Sequence, residues 1–231
     1  MANNKYQVIA LMGESGAGKD TIQNFNCKKH PFIFHKIVSC TTRPQRDYET
    51  NGDDYWFITV GEFARKLLKN EMLEATEYKT EWFYGTPISS LCEDKINIGV
   101  FNPDGVRALL SDDRLNVLVI KIEANDKMRL VRCLVREDNP DCSEICRRFL
   151  ADKKDFSDLE FEYETIYNND DSQTDFFHPN IEGLNLDVIK ALWKNLEERG
   201  SITFDAIMRW DTTASGDTIA ANKTPSEDKI D

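Results

Sequence analysis

Residues 6–12 form a mostly apolar run of strand length that stops at Gly13. The stretch from 19 to about 27 then predicts a helix. A second apolar run over 32–38 precedes a polar stretch, 39–54, rich in Arg, Asp, Asn and Gly. Residues 55–59 read as a strand, Phe63, Leu67 and Leu68 recur at helical spacing, and 73–78 and 82–85 read as further short strands. Two more apolar runs, 96–101 and 117–122, are each followed by a helical stretch, the first opening near Pro103, a residue suited to a helix's first turn. Asp126, Arg129, Arg132 and Arg136 share a helical segment that Asn139-Pro140-Asp141 breaks, and helix resumes over 143–156 with Arg147 and Arg148. Residues 165–168 suggest a last short strand, and 184–199, closed by Gly200, an amphipathic helix with a glycine stop. From 211 onward the chain is polar and small, which predicts a disordered tail. Strand and helix alternate at both ends of the chain, around a strand-rich insert. That order predicts an α/β fold, a parallel sheet covered by helices and carrying a small inserted module.

Composition narrows the function classes. A chain of 231 residues has room for one domain or two small ones and for a core that needs no staples. Its 41 acidic and 29 basic residues give a net charge of −12, which argues against a duplex nucleic-acid partner while allowing a local basic pocket for a small anion. There is no apolar run long enough for a transmembrane helix, and the opening residues lack a signal peptide's apolar stretch. The expectation is a cytoplasmic protein with no membrane partner, monomer and homodimer being equally open. Cys142 and Cys146, four apart, would share a helix face, but three histidines and no CxxC pair leave a zinc site without ligand spacing. The six cysteines read as free thiols in a reducing compartment.

The sharpest chemical signal follows the first strand. Gly13-Glu14-Ser15-Gly16-Ala17-Gly18-Lys19 opens a helix directly after a strand, the context a phosphate-binding loop requires. Backbone N–H groups in such a loop wrap phosphate oxygens, the helix dipole assists, and the lysine reaches the β- and γ-oxygens. These residues, with Asp20 and Thr21, are the candidate ATP site. The usual Ser or Thr after the lysine, which would ligate Mg²⁺, is here Asp20. A carboxylate is itself a hard oxygen ligand, so Asp20 is the candidate metal residue.

Further motifs fall in order: Ser39-Cys40-Thr41-Thr42-Arg43-Pro44-Gln45-Arg46, Asn51-Gly52-Asp53-Asp54-Tyr55, Glu74, and Phe83-Tyr84-Gly85-Thr86-Pro87. With the phosphate loop they make the chain, over about residues 6–171, resemble the guanylate kinase family. The resemblance implies a P-loop three-layer α/β fold with a central parallel sheet, an inserted small mixed-strand GMP-binding module and a helical lid. It implies ATP as donor, GMP as acceptor and Mg²⁺ as cofactor. By position it assigns Arg43, Arg46, Tyr55 and Tyr84 to the GMP phosphate, and Ser39, Glu74 and Thr86 to guanine. The chemistry agrees: arginine offers a planar fork to phosphate, and a carboxylate accepts guanine's adjacent N1–H and N2–H₂. Singly, the two arginines read equally as solvated loop charges and the two tyrosines as core aromatics.

The resemblance also places Arg132, Arg136 and Arg148 as lid arginines closing over the transferring phosphoryl group, and Asn168 near the adenine pocket. Their plain alternative is a set of helix-surface arginines paired with the many acids. After the run 96–101 the family shows two acids; here those places hold Val100 and Asn102, Asn102 still able to hydrogen-bond to GMP. Asp104 is a second acid to weigh for the metal against a helix-start role. Asp20 and Asn102 also resemble ribose 1,5-bisphosphate phosphokinases, leaving that activity or a broader deoxynucleotide kinase as the alternative. A third reading is an interaction module that kept only the fold, against which Lys19 speaks. The expected organisation is a kinase core over 1–38 and 88–210, a lid at about 132–148, a monophosphate module over 39–87, and the tail 211–231.

Overall fold

The computed structural model describes residues 5–78, 82–136 and 138–169, together with Phe176, Leu192 and Lys194. In chain order the elements are β1 (Tyr6–Met12), α1 (Lys19–Lys29), β2 (Phe34–Lys36), β3 (Cys40–Thr41), β4 (Trp56–Phe57), α2 (Val60–Leu68) and β5 (Met72–Tyr78). There follow β6 (Trp82–Pro87), a 3₁₀ turn at Ile88–Ser90, β7 (Ile96–Val100), α3 (Pro103–Leu110), β8 (Leu115–Glu123), α4 (Asp126–Val135), α5 (Cys142–Asp155) and β9 (Glu164–Tyr167).

Every residue of β1 is buried, because the strand lies at the middle of a five-stranded parallel sheet of order β2-β7-β1-β8-β9. Its side chains alternate between two cores, as the strand period of two requires. Ile9 and Leu11 join Ile22 of α1 with Ile98 and Ile120 on one face, while Val8, Ala10 and Met12 join Val106 and Leu109 of α3 on the other. Helix, sheet and helix make the expected three layers. Two buried amide side chains are paired: Gln23 of α1 donates to the Ile98 carbonyl at 2.8 Å, and Asn97 donates to that of Gln7 at 3.0 Å.

Between β2 and β7 lies a separate four-stranded sheet of order β4-β3-β6-β5, with β3 antiparallel to β6 and β6 antiparallel to β5. Two expectations are corrected here. The strand expected over 55–59 is only Trp56–Phe57, because Thr59 caps a helix. Its hydroxyl accepts the Glu62 N–H at 3.2 Å while the Glu62 carboxylate accepts the Thr59 N–H at 2.8 Å, a capping box that starts α2 at Val60. The polar stretch 39–54 also hides strand β3, which hydrogen bonding to β6 recruits. The break at Asn139-Pro140 holds, with Asp141 accepting the Glu144 N–H at 3.0 Å to open α5. The helix expected over 184–199 and the tail 211–231 lie outside the described residues. Among the described residues no helix is long and apolar enough to cross a membrane.

Candidate active site

The chain leaves β1 at the C-terminal end of the sheet's central strand and turns through 13–18 into α1. Gly18 caps that helix at φ 97°, left-handed, without a side-chain bond, so its first-turn N–H groups are open to an anion. An added Cβ at Gly18 would run into the Asn168 side chain, and one at Gly16, with φ 79°, into the Arg129 backbone. Only glycine fits either place. Asn168 donates its Nδ2 to the Ala17 carbonyl at 2.8 Å and so holds the loop from the end of β9. Lys19 donates to the Glu14 carbonyl at 3.2 Å. Burial pulls its ammonium below the usual lysine range, and the Asp20 and Asp152 charges act the other way.

A polar relay lies on the inserted sheet. Glu74 and Thr86 face each other across β5 and β6, and the Thr86 hydroxyl donates to Glu74 Oε1 at 2.7 Å. Ser39 Oγ lies 2.8 Å from Thr86 Oγ1. Since Thr86 has one proton and gives it to Glu74, Ser39 is the donor in that second bond. Both Ser39 and Glu74 therefore face a ligand with acceptor lone pairs. Burial lifts the Glu74 carboxyl above the ordinary range, and the bond from Thr86 opposes the rise.

A cleft of about 260 Å³ joins these two ends. Gly13, Ser15 and Lys19 line it from the loop, and Ser39, Glu74 and Tyr84 from the inserted sheet. Tyr55 also lines it, its ring edge-on to Tyr84 at 5.8 Å, with burial first and then the Asp20 charge raising its hydroxyl pKa. Val100, Phe101 and Asn102 form a third wall. Asn102 Oδ1 caps α3 by accepting the Gly105 N–H at 2.7 Å, which leaves its NH₂ group for a ligand. Asp104 is an exposed helix-start acid paired with Arg107 at 2.7 Å, the plainer of its two readings.

A guanylate kinase family model matches residues 5–177. The chain belongs to the guanylate kinase family. The guanylate kinase of Maricaulis maris is 33% identical over 172 residues, covering 71% of this chain and 76% of the relative. That of Lactobacillus delbrueckii subsp. bulgaricus is 39% identical over 90 residues, 39% of this chain and only 44% of the relative's length. The crystal structure of guanylate kinase from Anaplasma phagocytophilum superposes with a TM-score of 0.51 at 18% identity, covering 87% of this chain and 89% of that one, a likeness of fold. Membership places this chain among the nucleoside monophosphate kinases, which are transferases.

Against the family's pattern the structure sorts the arginines. Arg132 reaches the loop, donating to the Asn168 carbonyl at 3.1 Å and to that of Gly16 at 3.4 Å. Arg136 is exposed at the end of α4, yet its charge still bears on Lys19. Arg148 bonds Glu144 at 2.8 Å on the helix surface, as its plain alternative has it. Arg43 and Arg46 do not line the cleft. Glu49 takes both arms of the Arg43 fork, one at 2.7 Å, beneath the Tyr55 and Phe57 rings, and accepts the Arg46 N–H at 2.9 Å. Asp20 and Thr21 are exposed on the first turn of α1.

Sequence reasoning passed over Arg129 and Asp152. The Arg129 side chain is 0% exposed, donates to the Ser15 carbonyl at 3.0 Å and Glu14 at 2.6 Å, and stacks 4.6 Å from the Phe149 ring centre. Asp152, from α5, accepts the Ser15 N–H at 2.5 Å. The signal available was Arg129 at i+3 from Asp126, which it does bond at 3.1 Å; nothing in the pattern marked it as buried.

Proposed function

We propose that this protein transfers the γ-phosphoryl group of ATP to GMP, and to dGMP, giving ADP and the nucleoside diphosphate. The observation that carries the reading is that one cleft has the phosphate loop at one end and the Ser39–Thr86–Glu74 relay at the other. Guanine presents N1–H and N2–H₂ as neighbouring donors, which suit the relay's acceptors; adenine's N1 lone pair would meet a carboxylate.

No side-chain nucleophile is needed. A phosphate oxygen of GMP attacks the γ-phosphorus in line, so the chain's contribution is positioning and charge stabilisation. Residues 13–21 cradle the donor's phosphates, with Asn168 behind the loop, and Lys19 stabilises charge growing on the β- and γ-oxygens. Arg132 is already at the loop, and Arg136 and Arg148 join it as the lid, about 132–148, closes. Tyr55 and Tyr84, which line the cleft, hold the acceptor phosphate from the 39–87 module, and Arg43 and Arg46 reach it by leaving Glu49, while Ser39, Glu74, Thr86 and Asn102 serve the base. The core over 1–38 and 88–210 carries the loop. A hydrated Mg²⁺ takes one or two carboxylates plus phosphate oxygens, and Asp20, an open carboxylate on the first turn of α1, fits that donor set. When bound, the ion neutralises phosphate charge. Six free cysteines fit a reducing, cytoplasmic setting.

The test is ADP release measured across all nucleoside monophosphates and ribose 1,5-bisphosphate. GMP and dGMP should be the best acceptors. A protein that ignores GMP and phosphorylates the sugar bisphosphate would overturn the reading, as would one that binds no ATP.

A further inference from the structure

Asp152 has no part in the reaction just described, yet it touches the phosphate loop. Its Oδ2 accepts the Ser15 N–H at 2.5 Å and lies 3.5 Å from Arg129 Nη2. Ser15 is the third residue of a loop whose N–H groups are aimed at anions. A carboxylate oxygen on one of them sits where a phosphate oxygen would bind. Arg129 holds it there and cannot easily follow it away, being fully buried and tied to Glu14, Asp126 and the Ser15 carbonyl. Asp152 also lines the cleft beside Lys19, whose charge it supports.

One N–H cannot serve the Asp152 carboxylate and a phosphate oxygen at full strength, and the two anions repel at that distance. We propose that Asp152 is a positioning residue that competes with the donor's phosphates for the Ser15 N–H, so that triphosphate binding expels it and displaces α5, the helix that also carries Arg148. An internal competitor weakens apparent affinity by the fraction of molecules it occupies, and it couples arrival of the donor to the position of the lid. The proposal rests on the loop being the ATP site.

The experiment compares wild type with Asp152→Asn and Asp152→Ala, and with Asp158→Asn as an exposed control. ATP and pyrophosphate binding are measured by calorimetry, with kcat and KM for each substrate. Amide hydrogen exchange is followed in the peptide spanning 13–19. Both Asp152 variants should bind ATP and pyrophosphate about tenfold more tightly, the factor that goes with a lost charge-assisted competitor. KM for ATP should fall while KM for GMP holds. The Ser15 amide should exchange faster in the ligand-free variants than in wild type, and the difference should vanish at saturating ATP. A purely structural Asp152 would instead lower the melting temperature and raise KM for ATP. Arg129 keeps Glu14 and Asp126 in the asparagine variant, so the fold has its other ties. Tight ATP binding of equal strength in wild type and both variants, or weaker binding in the variants, overturns this proposal alone. Failure of every protein to bind ATP or pyrophosphate overturns the kinase reading and this proposal with it.

Discussion

Replacing Glu74 by glutamine tests the base-reading end of the cleft with almost no change of shape. In the native site Oε1 is committed to the Thr86 hydroxyl at 2.7 Å, and the second oxygen is the one left for a ligand. Glutamine keeps an oxygen for Thr86 and so turns its NH₂ toward guanine, donor against donor. Loss of a charge-assisted hydrogen bond costs about 1.5–3 kcal/mol, which is about 10- to 150-fold in kcat/KM. The assay is ADP release with GMP, dGMP and AMP over a range of pH. The loss should appear for both guanine nucleotides, and the weak rate with AMP should stay flat or rise. The pH profile adds a second reading. Burial raises the Glu74 carboxyl above the ordinary 4.5, and guanine needs the ionised form. For wild type, kcat/KM for GMP should therefore fall as pH drops through a value above 4.5, and the variant should lack that limb. An equal fall for every acceptor would show Glu74 to be structural, and full GMP activity in Glu74→Gln would refute its role as base reader.

Lys19→Ala should cost well over tenfold in kcat while the protein stays folded; a variant retaining more than about a tenth of the wild-type rate would refute the loop's catalytic role. Arg129→Leu leaves Glu14 and Asp152 without their buried partner and should destabilise by about 3 kcal/mol, the low end for a broken buried ion pair because both carboxylates keep some solvent contact; a denaturant midpoint near wild type would contradict this. Gly18→Ala forces a side chain into a left-handed position against Asn168 and should lower melting temperature and ATP affinity together, with an unchanged melting curve as the contrary result. Asp20→Ser restores a hydroxyl but removes a carboxylate, so the Mg²⁺ concentration for half-maximal rate should rise; an unchanged requirement would remove Asp20 from the metal site.

The central sheet was legible where its strands are buried on both faces and read as apolar runs, as β1 and β7 do. The phosphate loop was legible because glycine at 16 and 18 answers a backbone demand that no other residue meets. The inserted sheet was harder. Strand β3 is two residues long and owes its existence to partners far along the chain, which no local pattern records. The start of α2 was written in Thr59 and Glu62, but the aromatic run before it reads as strand. Among the candidate residues, Lys19, Ser39, Glu74 and Tyr84, at loop positions or on paired strands, line one cleft, and Thr86 hydrogen-bonds Glu74. The arginines did not sort by sequence. Arg129, Arg132, Arg136 and Arg148 look alike along their helices, and only tertiary packing buries the first while leaving the last on a surface glutamate.

The unequal anchoring of the cleft's two ends bears on how the molecule breathes. The phosphate loop grows out of β1, whose amides are locked by ladders on both sides, so opening there means tearing the sheet at its middle. At the base-reading end, Ser39 leads into β3, two residues long and beside an edge strand of two more, while Glu74 and Thr86 sit on the longer β5–β6 ladder. Amide exchange should accordingly run slow through residues 8–12 and fast around 39–57, and substrate should protect the second region far more than the first. On the proposed reading, recognition of the acceptor is thereby built on the more yielding half of the protein, and grip on the donor on the half that opens last.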